Sequence, residues 1–291
     1  MTVESSYTEY DTWAWLYDLT MGSTYGTTQL KTIEKILLPI LSKPCHILDL
    51  CCGTGQLAVS LSLKGYKVTG IDNSVQMLQY ARKNSRHQGS ITNFVLGDAR
   101  NFSTNNPVDA VISTSASLNH IMSLEDLKKV FLRVNESLVG GGVFFFDVNH
   151  HGQMQKWWSG NLAEGEIKPN YAWGIVPSYN SESKTGTFKV LTHHNTSIHD
   201  TSLSQNLKNI LYKILGLQRL TGLRFRIIEN FQAWQPSWNY GEVDYPVRGH
   251  SIEEIQLLLA EAGFSEASVL TVDGTELNSD RSAYFLAYNT N

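Results

Sequence analysis

The sequence predicts an α/β protein: a mostly parallel sheet with helices on both faces, interrupted by an inserted antiparallel β subdomain. Three observations carry this reading. Between residues 45 and 149, short apolar runs alternate with segments of helical spacing, the pattern of parallel strands joined by crossover helices. The stretch HILDLCCGTGQLA, residues 46 to 58, joins a buried strand to a helix through a glycine turn, and the run VTGID then ends a second strand on Asp72. After Asn149 the pattern changes to longer runs rich in Tyr, Trp, Phe, Thr and Val, before a capped helix and two strands restore the first pattern.

Residues 7 to 20 and 27 to 42 carry helix-compatible spacing, with Tyr10, Trp13, Tyr17 and Met21 three or four apart. Strands are expected at 45–50, 67–72, 91–97, 108–113 and 142–147, and helices at 55–64, 74–87 and 124–138. Gly140, Gly141 and Gly142 are read as closing the last of these helices and turning the chain into VFFFDV. In the insertion, strands are expected at 171–178, 185–194, 222–232 and 239–248, with a helix near 202–216. The helix SIEEIQLLLAEAGF follows, capped by Ser251 with Glu254 three residues on and stopped by Gly263. Strands at 265–272 and 282–288 finish the chain. The organisation is thus residues 1–149 as N-terminal helices and the main part of the α/β core, 150–249 as an antiparallel insertion, and 250–291 as completion of the core.

Composition points the same way. With 291 residues, 42% hydrophobic and 17% charged, the chain can bury a full core. A net charge of -4 leaves no basic excess, which argues against duplex nucleic acid or an anionic membrane as a partner. No run of eighteen apolar residues is present and MTVESSYTEYDTW lacks the regions of a signal peptide, so the cytoplasm is the expected compartment. Cys45, Cys51 and Cys52 crowd one strand and its turn, a spacing unsuited to a disulfide framework or a zinc site; they read as small buried thiols.

The glycine turn narrows the ligand. Gly53 and Gly55 open backbone angles closed to other residues, and Asp72 can accept bonds from both hydroxyls of a ribose. Asp49 discriminates further. A carboxylate just before the glycines repels the pyrophosphate of a dinucleotide and favours a ligand carrying an ammonium or sulfonium. These residues resemble the first motif of the class I S-adenosylmethionine-dependent methyltransferases, roughly (V/I)LDxGxGxG, with an acidic residue ending the second strand. Asp49, Gly53, Gly55 and Asp72 fit, while Cys51 stands where the family has its first glycine. NFVLGDARNF, residues 93 to 102, is a third match.

The resemblance implies a Rossmann-like sheet of seven strands whose last two form an antiparallel edge hairpin, and S-adenosyl-L-methionine as cofactor. It implies that the turn lines the methionine moiety, that Asp72 binds the ribose, and that Asn73 and Met77 flank the adenine. Asp98 is implied at the adenine amino group, with Ala99 and Arg100 beside it. Tyr17 is implied by the N-terminal YD segment that commonly closes over cofactor and substrate in this family. An insertion after the fifth strand is implied to roof the site and select the substrate.

The chemistry implied is an SN2 methyl transfer to an oxygen or nitrogen of a small organic metabolite. In an open α/β sheet the crevice lies at the carboxyl ends of the strands, which places Ser113, Ser115, Asn119 and His120 near the reacting methyl. His120 is the candidate base, with orienting the substrate or merely packing at the helix start as its other roles. His150 and His151 leave the fifth strand at the same edge. Five of the seven Trp lie in the insertion, and Trp173 and Trp234 are candidates for an aromatic or hydrophobic substrate, or else core of a small sheet. His193, His194 and His199 lack a convincing ligand spacing, so no metal is expected. Two other function classes compete. A nicotinamide-dependent oxidoreductase conflicts with Asp49 and lacks an evident Tyr and Lys pair, and a non-catalytic cofactor-binding protein has nothing in the motifs to favour it. A nucleic-acid methyltransferase is disfavoured because STSASLNH replaces the Pro-Pro-aromatic motif that holds a flipped base.

Overall fold

The structure, a computed structural model, describes residues 9–195, 203–265 and 267–290. The chain divides into two compact units, Met1–Met154 with Arg248–Asn291, and Gln155–Val247.

The first unit opens with a 3-10 turn at Glu9–Thr12 and two helices, α1 (Ala14–Leu19) and α2 (Met21–Ile36). Then come β1 (His46–Leu50), α3 (Gln56–Leu63), β2 (Lys67–Asp72), α4 (Val75–Gln88), β3 (Asn93–Leu96) and β4 (Val108–Ser113). After α5 (Leu124–Ser137), β5 (Leu138–Val148) and α6 (His151–Trp157) the chain enters the insertion. The insertion contains β6 (Glu164–Ile167), β7 (Tyr171–Asn180), β8 (Thr185–His194), α7 (Leu203–Leu215), α8 (Thr221–Glu229), α9 (Phe231–Trp234) and β9 (Asn239–Arg248). Helix α10 (Ile252–Glu261) and strands β10 (Ser268–Leu270) and β11 (Ala283–Tyr288) complete the first unit.

Seven strands form one sheet in the order β10-β11-β5-β4-β1-β2-β3, with β1 to β5 parallel and β11 antiparallel to both β5 and β10. This is the Rossmann-like sheet with an antiparallel edge that the sequence predicts. Strand β5 shows why a central strand reads as an unbroken apolar run. Phe144, Phe146 and Val148 face one core with α5 and α10, while Val143 and Phe145 face the other with α2, α3 and α4. Each fully buried Phe contributes about 1.5–3 kcal/mol, and the Phe146 ring stacks on Phe285 at 4.9 Å.

Sheet order puts β1 beside β4 and β2, so the crevice at their carboxyl ends is built by the turns after β1, β2 and β4. Helix α2 closes in on the first of these because Gly22 and Gly26 carry no side chain: a Cβ at Gly22 would stand 2.8 Å from Thr54 Oγ1, and one at Gly26 2.9 Å from Gln56 Cβ.

Several expected elements differ. Helical structure in the first forty residues breaks at Trp13 and Thr20, so α2 starts at Met21 and only a 3-10 turn, Leu38–Ile40, follows it. Residues 140–142 do not precede β5 but lie within it, where the ladder with β4 shifts register after Val108 and Gly141 takes φ +74°. A Cβ on Gly142 would meet Val139 O at 2.9 Å, so the glycines serve a bulge rather than a helix stop.

In the insertion, 222–232 is not a strand but α8 and the start of α9. Ile227, Ile228 and Phe231 are buried together while Leu223 and Arg226 face outward, a helical period hidden by the β-like composition. The four-stranded sheet therefore runs β6-β7-β8-β9, with β6 a strand that the composition did not signal. Ala172 and Gly174 face the helices of this unit, so Trp173, one residue out of phase, lies on the sheet's other face.

Candidate active site

The turn after β1 is held in conformations that few residues accept. Cys51, Gly53 and Gly55 take φ values of 63°, 53° and 78°. Cys51, standing where the family's glycine would, adopts the left-handed region at a cost of about 1–2 kcal/mol. The turn is pinned from β2: Cys52 N donates to Ile71 O at 3.0 Å, and Gly53 N donates to Asp72 Oδ2 at 2.8 Å. Gly55 has no alternative, since a Cβ there would stand 2.8 Å from both Ala81 Cβ and Phe94 Cζ.

Asp72 also accepts from Ser74 N at 2.9 Å through Oδ1, and the Asn73 N–H adds to these, which leaves part of the carboxylate's acceptor capacity unused. Its neighbours order the rest of the loop. Ser74 caps α4, accepting from Met77 N at 3.0 Å; Met77 is buried and Asn73 is exposed. Burial raises the Asp72 carboxyl above its ordinary range, against the Ser74 and Gly53 N–H groups that favour the ionised form.

Asp49 is buried at 2% exposure, and its Oδ2 has no hydrogen-bond partner among the described residues. Burial pushes its carboxyl up to about 8, the charge of Asp72 adds to this, and the Ala58 N–H partly offsets it. An unpaired, dry carboxylate oxygen is costly unless a cation or donor meets it. Burial raises the thiols of Cys51 and Cys52 as well, so they are inert neighbours rather than nucleophiles.

The N-terminal segment lies over this turn. Tyr17 is within reach of Gly53, its ring Cε1 3.7 Å from where a Cβ would stand. Asp18 accepts from Gln56 Nε2 at 2.9 Å and Asn84 Nδ2 at 2.6 Å, tying α1 to α3 and α4. Asp11 accepts from Ser74 Oγ at 2.7 Å and Gln76 N at 2.8 Å, a carboxylate at the positive end of α4. Tyr10 stacks on Trp13, and its hydroxyl meets His120 Nε2 at 2.9 Å with the rings edge-on.

The loop after β4 is also strained. Ser113 is fully buried, Ser115 and Ala116 both take left-handed φ, 61° and 56°, and a 3-10 turn over Ser117–His120 follows. Asn119 is bonded within the first unit. Its Nδ2 donates to the carbonyls of Asn149 at 2.8 Å and Arg248 at 2.7 Å, and its Oδ1 accepts from Asn149 N at 2.9 Å. Its amide is a clasp on the end of β5, where the sequence suggests a substrate contact.

Other expected site residues are occupied too. Asp98 grips Arg100 through both oxygens, which holds its carboxyl below the usual range, and Ala99 is buried between them. His150 is buried, with Nε2 at 3.1 Å from Asn278 O. In the insertion Trp173 is buried, whereas Trp234 is 48% exposed at the end of α9, in the helical layer; the two do not share a face. His193 and His194 alternate across β8, and His199 lies outside the described residues.

Asp147, Tyr10, Asp11 and Asp18 belong to this edge and were not among the expected site residues. Asp147 carried a readable signal, since like Asp49 and Asp72 it is a carboxylate at the end of a buried strand. Its Oδ2 accepts from Ala116 N at 3.1 Å, and burial pushes it up to about 7 against the Ala116 and Ser115 N–H groups.

With this geometry in place, comparison with known proteins is direct. Residues 47–142 match a family described as a methyltransferase domain. A provisionally named methyltransferase of Bacillus subtilis (strain 168) is 33% identical over 141 residues, covering 48% of this chain and 55% of that protein. The match thus spans about half the length of that curated relative. A crystal structure of an S-adenosylmethionine-dependent methyltransferase from Clostridium acetobutylicum superposes with a TM-score of 0.71 at 18% identity, over 98% of this chain and 100% of that one. The sugar N-methyltransferase KedS8 from Streptoalloteichus gives a TM-score of 0.64 at 15% identity, over 100% and 96%.

Residues 47–142 are thus a methyltransferase domain, and the strand order and acid-flanked glycine turn around it resemble those of the class I S-adenosylmethionine-dependent methyltransferases. The cofactor of that class is S-adenosyl-L-methionine, and the residues present fit it: the orphaned Asp49 oxygen suits a cation, and Asp72 retains acceptor capacity for hydroxyls. Among the described residues no helix is long and apolar enough to cross a membrane.

Proposed function

We propose that the protein transfers a methyl group to a nitrogen or oxygen of a small organic metabolite, with Tyr10 and His120 facing the acceptor. The observation that carries this reading is the 2.9 Å contact between Tyr10 Oη and His120 Nε2. The likeness in fold to a sugar N-methyltransferase puts an amine first among acceptors.

Asp49 would hold the cationic end of the cofactor and Asp72 its ribose hydroxyls, with Gly53 and Gly55 giving the close backbone approach and Tyr17 covering the turn. Cys51, Asn73, Met77, Asp98, Ala99, Arg100, Ser113 and Ser115 complete the proposed cofactor surroundings. When bound, the cofactor supplies an electrophilic methyl on a sulfonium. The chain's own work is alignment and exclusion of water, effects that reach about 7–11 kcal/mol in well-oriented systems.

Tyr10 and His120 manage one proton. The hydrogen between Tyr10 Oη and His120 Nε2 can move to Nε2 as the phenol oxygen takes a proton from the acceptor, leaving a neutral Tyr10 and an imidazolium at His120. General-base help of this kind is worth about 10²–10⁴ in rate. In the insertion, Trp173 is the aromatic residue assigned to acceptor selection, on the sheet face away from that unit's helices.

The test incubates the purified protein with methyl-labelled S-adenosylmethionine and an extract of its native cells, and identifies labelled small molecules by mass spectrometry. Labelled N- or O-methyl products that fall about 10²-fold or more with His120→Asn are expected. Retention of full turnover by His120→Asn, or labelling of carbon alone, would overturn the reading.

A further inference from the structure

The carboxyl edge of the sheet holds a third buried acid for which the proposed chemistry has no use. Asp147, next to last in β5, is 2% exposed, and its Oδ1 has no hydrogen-bond partner among the described residues. Its other oxygen faces the loop after β4. There Ala116 N donates to Oδ2 at 3.1 Å, and the Ser115 N–H lies close enough to favour the ionised form.

That loop needs holding. Ser115 and Ala116 are consecutive, neither is glycine, and both take the left-handed region at φ 61° and 56°. Such a pair survives only where the surroundings over-determine it. Successive N–H groups in a tight turn also form a concave anion site, and here the anion is the chain's own carboxylate.

The consequence is carried to His120. Ala116 O accepts from Asn119 N at 3.0 Å, opening the 3-10 turn that ends at His120, and the Asn119 amide fastens that turn to Asn149, two residues beyond Asp147. The turn bearing His120 is thus held to the end of β5 twice, by Asp147 before it and by Asn119 within it.

We infer that Asp147 is a positioning residue, whose carboxylate keeps the Ser115–Ala116 turn left-handed and thereby sets the His120 ring against Tyr10. The inference deepens the function proposed above, since it rests on His120 facing the acceptor.

The experiment records long-range ¹H–¹⁵N spectra of the histidine rings in the full-length chain saturated with S-adenosylhomocysteine. The wild type is expected to show His120 as a single tautomer. Asp147→Ala is expected to lose that pattern, while Asp147→Asn, which keeps an oxygen for Ala116 N–H, retains it. Adding Ala116→Gly to Asp147→Ala is expected to restore it, because glycine takes the left-handed region without help; this double variant also serves if Asp147→Ala alone folds poorly. An unchanged His120 signal in Asp147→Ala, or no restoration by Ala116→Gly, would overturn the inference.

Turnover separates the two readings. With the labelling assay above, Asp147→Ala is expected to lose tenfold or more in kcat in the wild-type background and less than twofold when His120 is already Asn. Equal losses in both backgrounds mean that Asp147 does not act through His120 and overturn the inference. If His120→Asn alone costs nothing, the acceptor reading falls while the ring spectra still decide the role of Asp147.

Discussion

Two acids on the adjacent strands β1 and β2 set the behaviour of the proposed cofactor crevice. Asp49 is raised to about 8, so between its ordinary 3.8 and 8 the folded chain keeps it protonated while the unfolded chain does not. Its contribution to stability is therefore full below pH 4 and is lost as pH rises towards 8. Binding a cation reverses the preference and expels the proton. Affinity for S-adenosylmethionine should then increase from pH 6 to 7.5, below the range near 8 where an α-amino group itself titrates. Calorimetry in buffers of different ionisation enthalpy should register close to one proton released per cofactor bound, and Asp49→Asn should remove both effects. Asp72→Ala deletes the acceptor for the Gly53 and Ser74 N–H groups along with the proposed ribose contact, and should weaken S-adenosylhomocysteine binding about 10- to 100-fold. Unchanged affinity would show the ribose to be elsewhere. The places of Asp49 and Asp72 were legible in the sequence because an apolar run that meets a glycine turn or a polar pair marks the end of a buried strand. Asp98 and Asn119 read less well, since nothing in a linear pattern shows that Arg100, Asn149 and Arg248 will occupy them.

At the level of elements, the turn between β1 and α3 is where backbone conformation and packing separate cleanly. Gly53 and Gly55 share positive φ, yet a Cβ at Gly53 has only Tyr17 near it, at 3.7 Å, whereas one at Gly55 collides with Ala81 and Phe94 at 2.8 Å. Gly53→Ala should therefore cost about 1–2 kcal/mol from conformation alone, and Gly55→Ala about 3–5 kcal/mol as overpacking is added. Midpoints of urea unfolding measure both, and equal losses would refute the distinction. Asp11 offers a second check on how the N-terminal segment is held. Removing its carboxylate from the start of α4 should cost about 0.5–2 kcal/mol, read as a lower melting temperature with the sheet's circular dichroism intact. The alternating elements from β1 to β5 were legible because each is bounded by a turn signal and the central strands β1, β4 and β5 are buried on both faces. Residues 222–232 were not, because Phe225, Ile227 and Ile228 supply strand-like composition while burial follows the helical period through Phe231. The glycines at 140–142 misled for a related reason: a bulge inside a ladder and a helix stop use the same residue.

For the molecule as a whole, the relevant fact is how the first unit is interrupted. Its chain leaves after Met154 and resumes at Arg248, yet one amide, Asn119, holds the carbonyls of both Asn149 and Arg248. The exit and the return therefore lie side by side on the first unit, and its two large clusters draw their residues from within that unit alone. Closing such a gap with a short flexible linker adds little loop entropy, because that cost grows only with the logarithm of length. A chain in which a glycine-serine linker replaces Gln155–Val247 should unfold cooperatively, and should bind S-adenosylhomocysteine within about tenfold of the full protein, a difference of about 1.4 kcal/mol. Methylation of the native acceptor should be absent, since Trp173 and the rest of the insertion assigned to acceptor selection are gone. Retained methylation would move acceptor selection into the first unit; lost cofactor binding in a folded shortened chain would show that the insertion supplies part of the cofactor site.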